Sequence, residues 1–356
     1  MKVGIITFHN GSNYGAALQA FALQEAEKKL GNEVSLINYN NRFISQGLDR
    51  FRFAFTILGL YNFAFDILNF FSNGRKIDRF KRFFRVHYKL TELMTADELK
   101  KSGITFDVGV SGSDQIWNPL LNKKVDDIYF LNFGNFKKKI SYASSLGNYK
   151  LNDSESNRLI KQLLFSYDKL STREKTKQLE AVISRKVEHV CDPTLLLNKE
   201  EWAMSLGLRK QNGGYLLIYT LSDMNNVIAI AKRIAKDRGL KIINIGQAFG
   251  HYFDIKNILD AGPKEFVELF YNADYIVTNS FHGTAFSVNF HKQFVSVMHP
   301  KSPERAVSFL RTIGLESRLV TGISDILPVD MTSADFKAAT DVLENMRNES
   351  YNYLNV

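Results

Sequence analysis

Short apolar runs alternate with helix-length segments along most of this chain, and that alternation restricts the possible folds more than any other feature. KVGIITF reads as a strand, NYGAALQAFALQEAEKKLG as a helix with apolar residues at helical spacing and a stop at Gly31, and EVSLINY as a second strand. The series continues with FDVGVSG (Phe106 to Gly112), KKISYASSLG (Lys138 to Gly147), a polar helix from about Asn152, a short strand around KLSTRE, the helix TKQLEAVI and the run VEHVCDPTLLL. A second series starts near Gly213 with GGYLLIYTL, NNVIAIAKRIAKDRG, KIINIG, PKEFVELFYNA, YIVTNS, GTAFSVNFH and FVSVM. Strands joined by helices of this length make parallel sheets flanked by helices. A chain of 356 residues exceeds what one core usually organises. The expected fold class is therefore α/β, with two Rossmann-like doubly wound domains facing across a cleft. The expected divisions are 1–198, with an aromatic and basic insertion at 43–90, then 212–330, and a C-terminal helix at 331–356 that packs back on the first domain.

The formal charge of +9 raises nucleic acid as a partner, so its distribution matters. Ten Lys and Arg against three acids lie between Arg42 and Lys89, so +7 of the total is local. No recognition module accompanies it, and nucleic acid is not expected. The same segment carries RFRFAFTILGLYNFAFDILNFF, interrupted by Asn62, Asp66 and Asn69, which argues against a membrane span. Two readings remain: a core-packed helix followed by a solvated basic helix, or an interfacial helix on an anionic membrane surface. The start MKVGIITFHN lacks the features of a secretory signal, and the single Cys191 fits a reducing cytoplasm.

In doubly wound sheets, ligands bind outside the carboxyl ends of strands. Four polar clusters fall there. FHNGSNYGAALQ offers Asn13 and Tyr14 as a loop over a ligand or simply a helix cap. SGSDQIWNP offers Ser113, Asp114, Gln115 and Trp117 as a sugar platform of planar hydrogen-bonding groups and an aromatic face, or a capped turn with Trp117 in the core. TREK offers Arg173 for a carboxylate or phosphate, or for an ion pair with Glu174 or Glu180. TNSFHGTAF places Ser280 and His282 at a strand tip, where Gly283 allows a tight turn and a helix from about Thr284 aims its amides at an anion; capping Ser280 beside a packed His282 is the plainer alternative. No GxGxxG follows the first strand, and no GxxxxGK[ST] or GxSxG occurs. His189 and Cys191 alone do not make a metal site, and no metal or cofactor is expected.

HNGSNYGAALQAFALQ, GSDQIWNP, SYASSLG, TREK, CDPTLLL and TNSFHGTAFSV, in this order, resemble the polysaccharide pyruvyl transferase family, from residue 1 to about 320. The resemblance implies a fold like that of two-domain GT-B glycosyltransferases. It implies phosphoenolpyruvate as donor, and as acceptor a hexose hydroxyl pair on a cell-surface glycan or its polyprenyl-linked precursor. It further implies His282 as general acid, Arg173 on the donor's anionic groups, and a basic residue before an FLxxxG-like helix, here Arg305, with Lys301 as the poorer alignment. Several relatives carry Arg-Leu-His where this chain has Ser280-Phe281-His282, so one guanidinium near the donor is missing; Arg305, Lys301 or the helix amides near Ser280, Gly283 and Thr284 would compensate. Asp114 is a candidate base for the acceptor. If the acceptor rides on a polyprenyl carrier, Phe51 to Phe71 and the following arginines would hold the protein at the inner face of the membrane. The alternatives are a glycosyltransferase using a nucleotide sugar, for which Glu265 and Glu268 are the candidates, and a non-enzymatic membrane-associated assembly factor for polysaccharide synthesis.

Overall fold

The structure, a computed structural model, describes residues 1–48, 70–149, 151, 155–174, 177–221, 224–246, 254–300 and 303–356. Lys301 and most of the aromatic stretch lie outside these residues. The chain forms two compact units, the first of Met1–Arg52, Phe84–Leu196 and Met346–Val356, the second of Phe53–Phe83 and Leu197–Asn345.

In the first unit, β1 (Lys2–Ile6), β2 (Glu33–Leu36), β3 (Thr105–Ser111) and β4 (Asn135–Ser141) form a sheet in the order β2-β1-β3-β4. Every pair in it is parallel. Two short parallel strands, β5 (Ser171–Thr172) and β6 (Glu188–His189), are tied to the β4 side by single bridges from Ile140 to Lys169 and from Ser144 to Thr172. Helix α1 (Tyr14–Lys29) connects β1 to β2 and starts at Asn13, whose Oδ1 accepts from the Ala16 amide at 3.0 Å. It buries Ala17, Leu18, Phe21 and Leu23. At roughly 1.5–3 kcal/mol for each large apolar side chain, such burial outweighs intrinsic helix propensity.

Near the end of α1, Glu27 is almost completely buried and accepts from Asn32 Nδ2 at 2.7 Å. Burial, only partly offset by that hydrogen bond and the N-terminal charge, raises its pKa to about 7. Between the ordinary carboxylate range near 4.5 and this value the folded chain binds more protons than the unfolded one, so stability falls as pH rises through that window. Glu27→Gln removes the titration. Denaturant unfolding at pH 5 and pH 8 is expected to show a pH-dependent loss smaller by about 3 kcal/mol in the variant; an identical loss in both proteins would refute the assignment.

Helix α2 (Phe70–His87) is the described part of the basic segment. Its Ile77, Phe80, Phe83 and Phe84 are buried. Residues 70–83 belong to the second unit, not to an insertion in the first. There Arg75 Nε meets Asp260 Oδ2 at 2.8 Å, and Arg79 Nη1 donates to the Asp260 carbonyl at 2.8 Å. Part of the local positive charge is thus matched inside the protein. Among the described residues, no helix is long and apolar enough to cross a membrane.

The second unit has a six-stranded sheet of β7 (Tyr215–Tyr219), β8 (Lys241–Ile245), β9 (Ile255–Ile258), β10 (Tyr275–Thr278), β11 (Gln293–Val297) and β12 (Leu319–Val320). Its order is β12-β11-β10-β7-β8-β9, parallel throughout. Helices α3 (Met224–Arg238), α4 (Pro263–Asn272), α5 (Phe281–Asn289) and α6 (Glu304–Thr312) lie between the strands in sequence. Ile218, Val227, Ile230, Ile234, Val277 and Val295 share one core. Helix α7 (Ser333–Leu354) runs from the second unit into the first, where Arg347 Nε donates to the Leu195 carbonyl at 2.6 Å and Tyr353 Oη to the Ser141 carbonyl at 2.8 Å.

Candidate active site

In the first unit, the polar residues at the carboxyl ends of β1, β3 and β5 form one hydrogen-bonded system. Ser113 is fully buried; its hydroxyl donates to Gln19 Oε1 at 3.0 Å, and its carbonyl accepts from Thr7 Oγ1 at 2.8 Å. Gln19 Nε2 in turn donates to Thr7 Oγ1 at 2.9 Å. The next residue, Asp114, has φ of 76°, a left-handed conformation uncommon for a non-glycine residue. Its carboxylate meets the guanidinium of Arg173 at 3.0 Å.

Arg173 was expected to hold an anionic donor; in the structure its guanidinium lies among acids. Its side chain is 2% exposed and its three nitrogens all face acids: Nη2 to Asp114 at 3.0 Å, Nη1 to Asp192 at 3.0 Å and Nε to Glu174 at 3.4 Å. Burial opposes the charge of Arg173, but Asp114, Glu174 and Asp192 together override it and raise its pKa. Asp192 is anchored in the interior by the Thr194 amide at 3.0 Å and its hydroxyl at 2.7 Å. Glu174 accepts from Ser145 Oγ at 2.7 Å. From the sequence, TREK suggests Glu174 only as an ion-pair partner, and nothing in CDPTLLL singles out Asp192.

The sugar platform takes a different form from the one expected. Trp117 is 1% exposed, stacks on Phe130 at 5.6 Å and donates Nε1 to Ser111 Oγ at 3.2 Å. It fills the core and presents no face to a ligand, because the apolar cluster of Ile116, Ile128, Phe130 and Leu164 takes its indole. Tyr14 is likewise buried, and Gln115 Oε1 accepts from Asn118 Nδ2 at 3.0 Å within its own loop. Asn13 is exposed and caps α1.

In the second unit, β10 delivers Ser280 and His282 as expected, but the helix begins earlier than Thr284. Ser280 is the N-cap of α5, His282 lies in its first turn, and the Gly283 amide reaches Ser280 Oγ at 3.5 Å. Gly283 is needed for space: a Cβ there would sit 2.2 Å from Thr278 Oγ1. Thr284 is buried and bonds inward, donating to the Ser280 carbonyl at 3.1 Å and meeting Ser296 Oγ at 2.9 Å. The positive end of the α5 dipole thus lies at His282. His282 packs edge-on to Phe281 at 5.4 Å, and the guanidinium of Arg305, on α6, stands 5.9 Å from the centre of the same Phe281 ring. One aromatic ring therefore carries both a histidine and an arginine at the carboxyl end of β10. Among the described residues, no three His, Cys, Asp or Glu side chains are grouped to hold a metal ion.

The family model for polysaccharide pyruvyl transferases matches residues 13–300. No curated protein sequence matches significantly. Among solved structures, the S. aureus MnaA–UDP complex is 11% identical over 98% of this chain and 90% of that one, with a TM-score of 0.48. A putative UDP-N-acetylglucosamine 2-epimerase from Listeria monocytogenes is 12% identical over 99% and 89%, with a TM-score of 0.46. The E. coli heptosyltransferase WaaC with ADP is 12% identical over 99% of both chains, with a TM-score of 0.40.

Proposed function

The chain belongs to the polysaccharide pyruvyl transferase family, and from that premise we propose that it transfers pyruvate from phosphoenolpyruvate to two hydroxyls of a hexose, forming a ketal on a cell-surface glycan or its polyprenyl-linked precursor. The match over residues 13–300, which takes in Asp114, Arg173 and His282, carries this reading.

His282 is the proton donor. A proton added to the methylene carbon makes C2 electrophilic, and the first sugar hydroxyl bonds there while losing its proton to a base, for which Asp114 is the candidate. The second hydroxyl then bonds to C2 as the C2–O bond to phosphate breaks. Of the two hydroxyl protons, one balances that gained by the new methyl group and the other leaves with phosphate. Arg305, one ring away from His282, and the amino end of α5 suit the donor's negative groups. The aromatic and basic sequence around 43–90 fits an acceptor presented at the inner face of a membrane.

The test is phosphate release from phosphoenolpyruvate with and without a panel of hexose oligosaccharides. Release that requires the glycan, without any nucleotide sugar, is the expected result. Transfer from a nucleotide sugar, or no glycan-dependent release, would overturn the reading.

A further inference from the structure

We infer that the second unit carries a further binding site, for a phosphorylated ligand with an aliphatic body, in the cavity between the end of α3 and the amino ends of β8 and β9. The cavity holds about 700 Å³, a volume within the range of small-molecule sites. Because the sheet is parallel, this is the end opposite to His282, which follows the carboxyl end of β10. The site takes no part in the reaction proposed above and does not rest on it.

Four lysines line the cavity against one acid, Asp254. Lys232 and Lys236 stand one turn apart on α3, Lys241 opens β8, and Lys256 lies on β9. Lys232 Nζ meets Asp254 Oδ2 at 2.8 Å. The ammonium groups of Lys236, Lys241 and Lys256 make no ion pair or hydrogen bond among the described residues. Residues 247–253, which precede Asp254 and lie outside the described ones, contain no Asp or Glu. Two further acids of this part of the unit, Asp237 and Asp330, act on Arg238, which meets Asp330 at 2.9 Å. Like charges four residues apart on a helix repel, and an anion bound between them relieves that repulsion. The negative end of α3 does not oppose it, because the Leu240 amide donates to the Ala235 carbonyl at 2.9 Å and the Gly239 amide to that of Lys236 at 3.4 Å.

The lining also chooses the chemical class. Lysine binds phosphate as a point charge, and an excess of three positive charges suits a diphosphate better than a single carboxylate. Behind the lysines the wall is aliphatic: Ala235, Ile242 and Ile255 are buried and Leu240 is half-buried. A hydrocarbon body laid there leaves water without stranding a polar group. The same chemistry is offered by a soluble prenyl diphosphate and by the phosphate headgroup of a lipid.

The test is calorimetric titration at low salt, with phosphoenolpyruvate in excess, using geranyl diphosphate and inorganic pyrophosphate as probes. One geranyl diphosphate per chain is expected, bound about tenfold more tightly than pyrophosphate through its hydrocarbon part. The combined variant Lys236→Ala, Lys241→Ala and Lys256→Ala, whose side chains are exposed, should keep its thermal unfolding and bind geranyl diphosphate roughly tenfold or more weakly. Protection of these three lysines from acetylation by the bound probe would place it in the cavity. Co-sedimentation with phosphatidic acid vesicles, lost in the variant, would identify a lipid headgroup as the source, whereas probe binding without sedimentation would identify a soluble ligand. No binding of geranyl diphosphate, binding that survives the three substitutions, or affinity no greater than that of pyrophosphate would overturn the inference.

Discussion

Replacing His282 by alanine is expected to reduce glycan-dependent phosphate release by about 100-fold to 10,000-fold, the range typical of a lost general acid. The fold should survive. His282 lies in the first turn of α5, where the cap comes from Ser280 and the close packing from Gly283 against Thr278. Circular dichroism and thermal unfolding close to the wild type would accompany the loss. Turnover within a few-fold of the wild type would remove His282 from the mechanism.

Replacing Arg173 by methionine is expected to cost about 3–5 kcal/mol of stability, as when one partner of a buried ion pair is removed. The loss comes from what is left behind: Asp192, completely buried, keeps its charge without its guanidinium. Adding Asp192→Asn should recover part of the stability, since an asparagine oxygen still accepts from Thr194 while the stranded charge disappears. Urea unfolding of the single and double variants measures this. A single variant as stable as the wild type would mean that the acids are adequately solvated and the network is energetically minor.

The parallel architecture was legible because strands such as YLLIY and YIVT are buried on both faces and read as continuous apolar runs between amphipathic helices. β9 was not read. Its sequence IKNI is short and half polar, as befits an edge strand with one open side. The start of α5 was displaced to Thr284 because Gly283 reads as a turn residue, whereas here it sits inside the first helical turn to make room for Thr278. Trp117 in SDQIWNP carries equal weight as a ligand platform or core residue until the packing partners of the strand are known, and Phe130 and Tyr167 decide it. Arg173 was the hardest case. Its partners Asp114 and Asp192 lie 59 and 19 residues away, so only the meeting of β3, β5 and the loop after β6 shows that the arginine is saturated with acids. By contrast, His282 at the end of β10 follows directly from the break between an apolar run and polar Thr278-Asn279-Ser280.

The most direct measurement is the reaction run in deuterium oxide, followed by mass spectrometry and proton NMR of the glycan product. Expected is a ketal whose methyl group carries one solvent-derived deuterium, formed with release of one phosphate per pyruvate transferred, and both lost together in His282→Ala. A glycan product whose transferred group holds no solvent hydrogen, or phosphate release with no ketal formed, would contradict protonation of phosphoenolpyruvate as the step this protein catalyses.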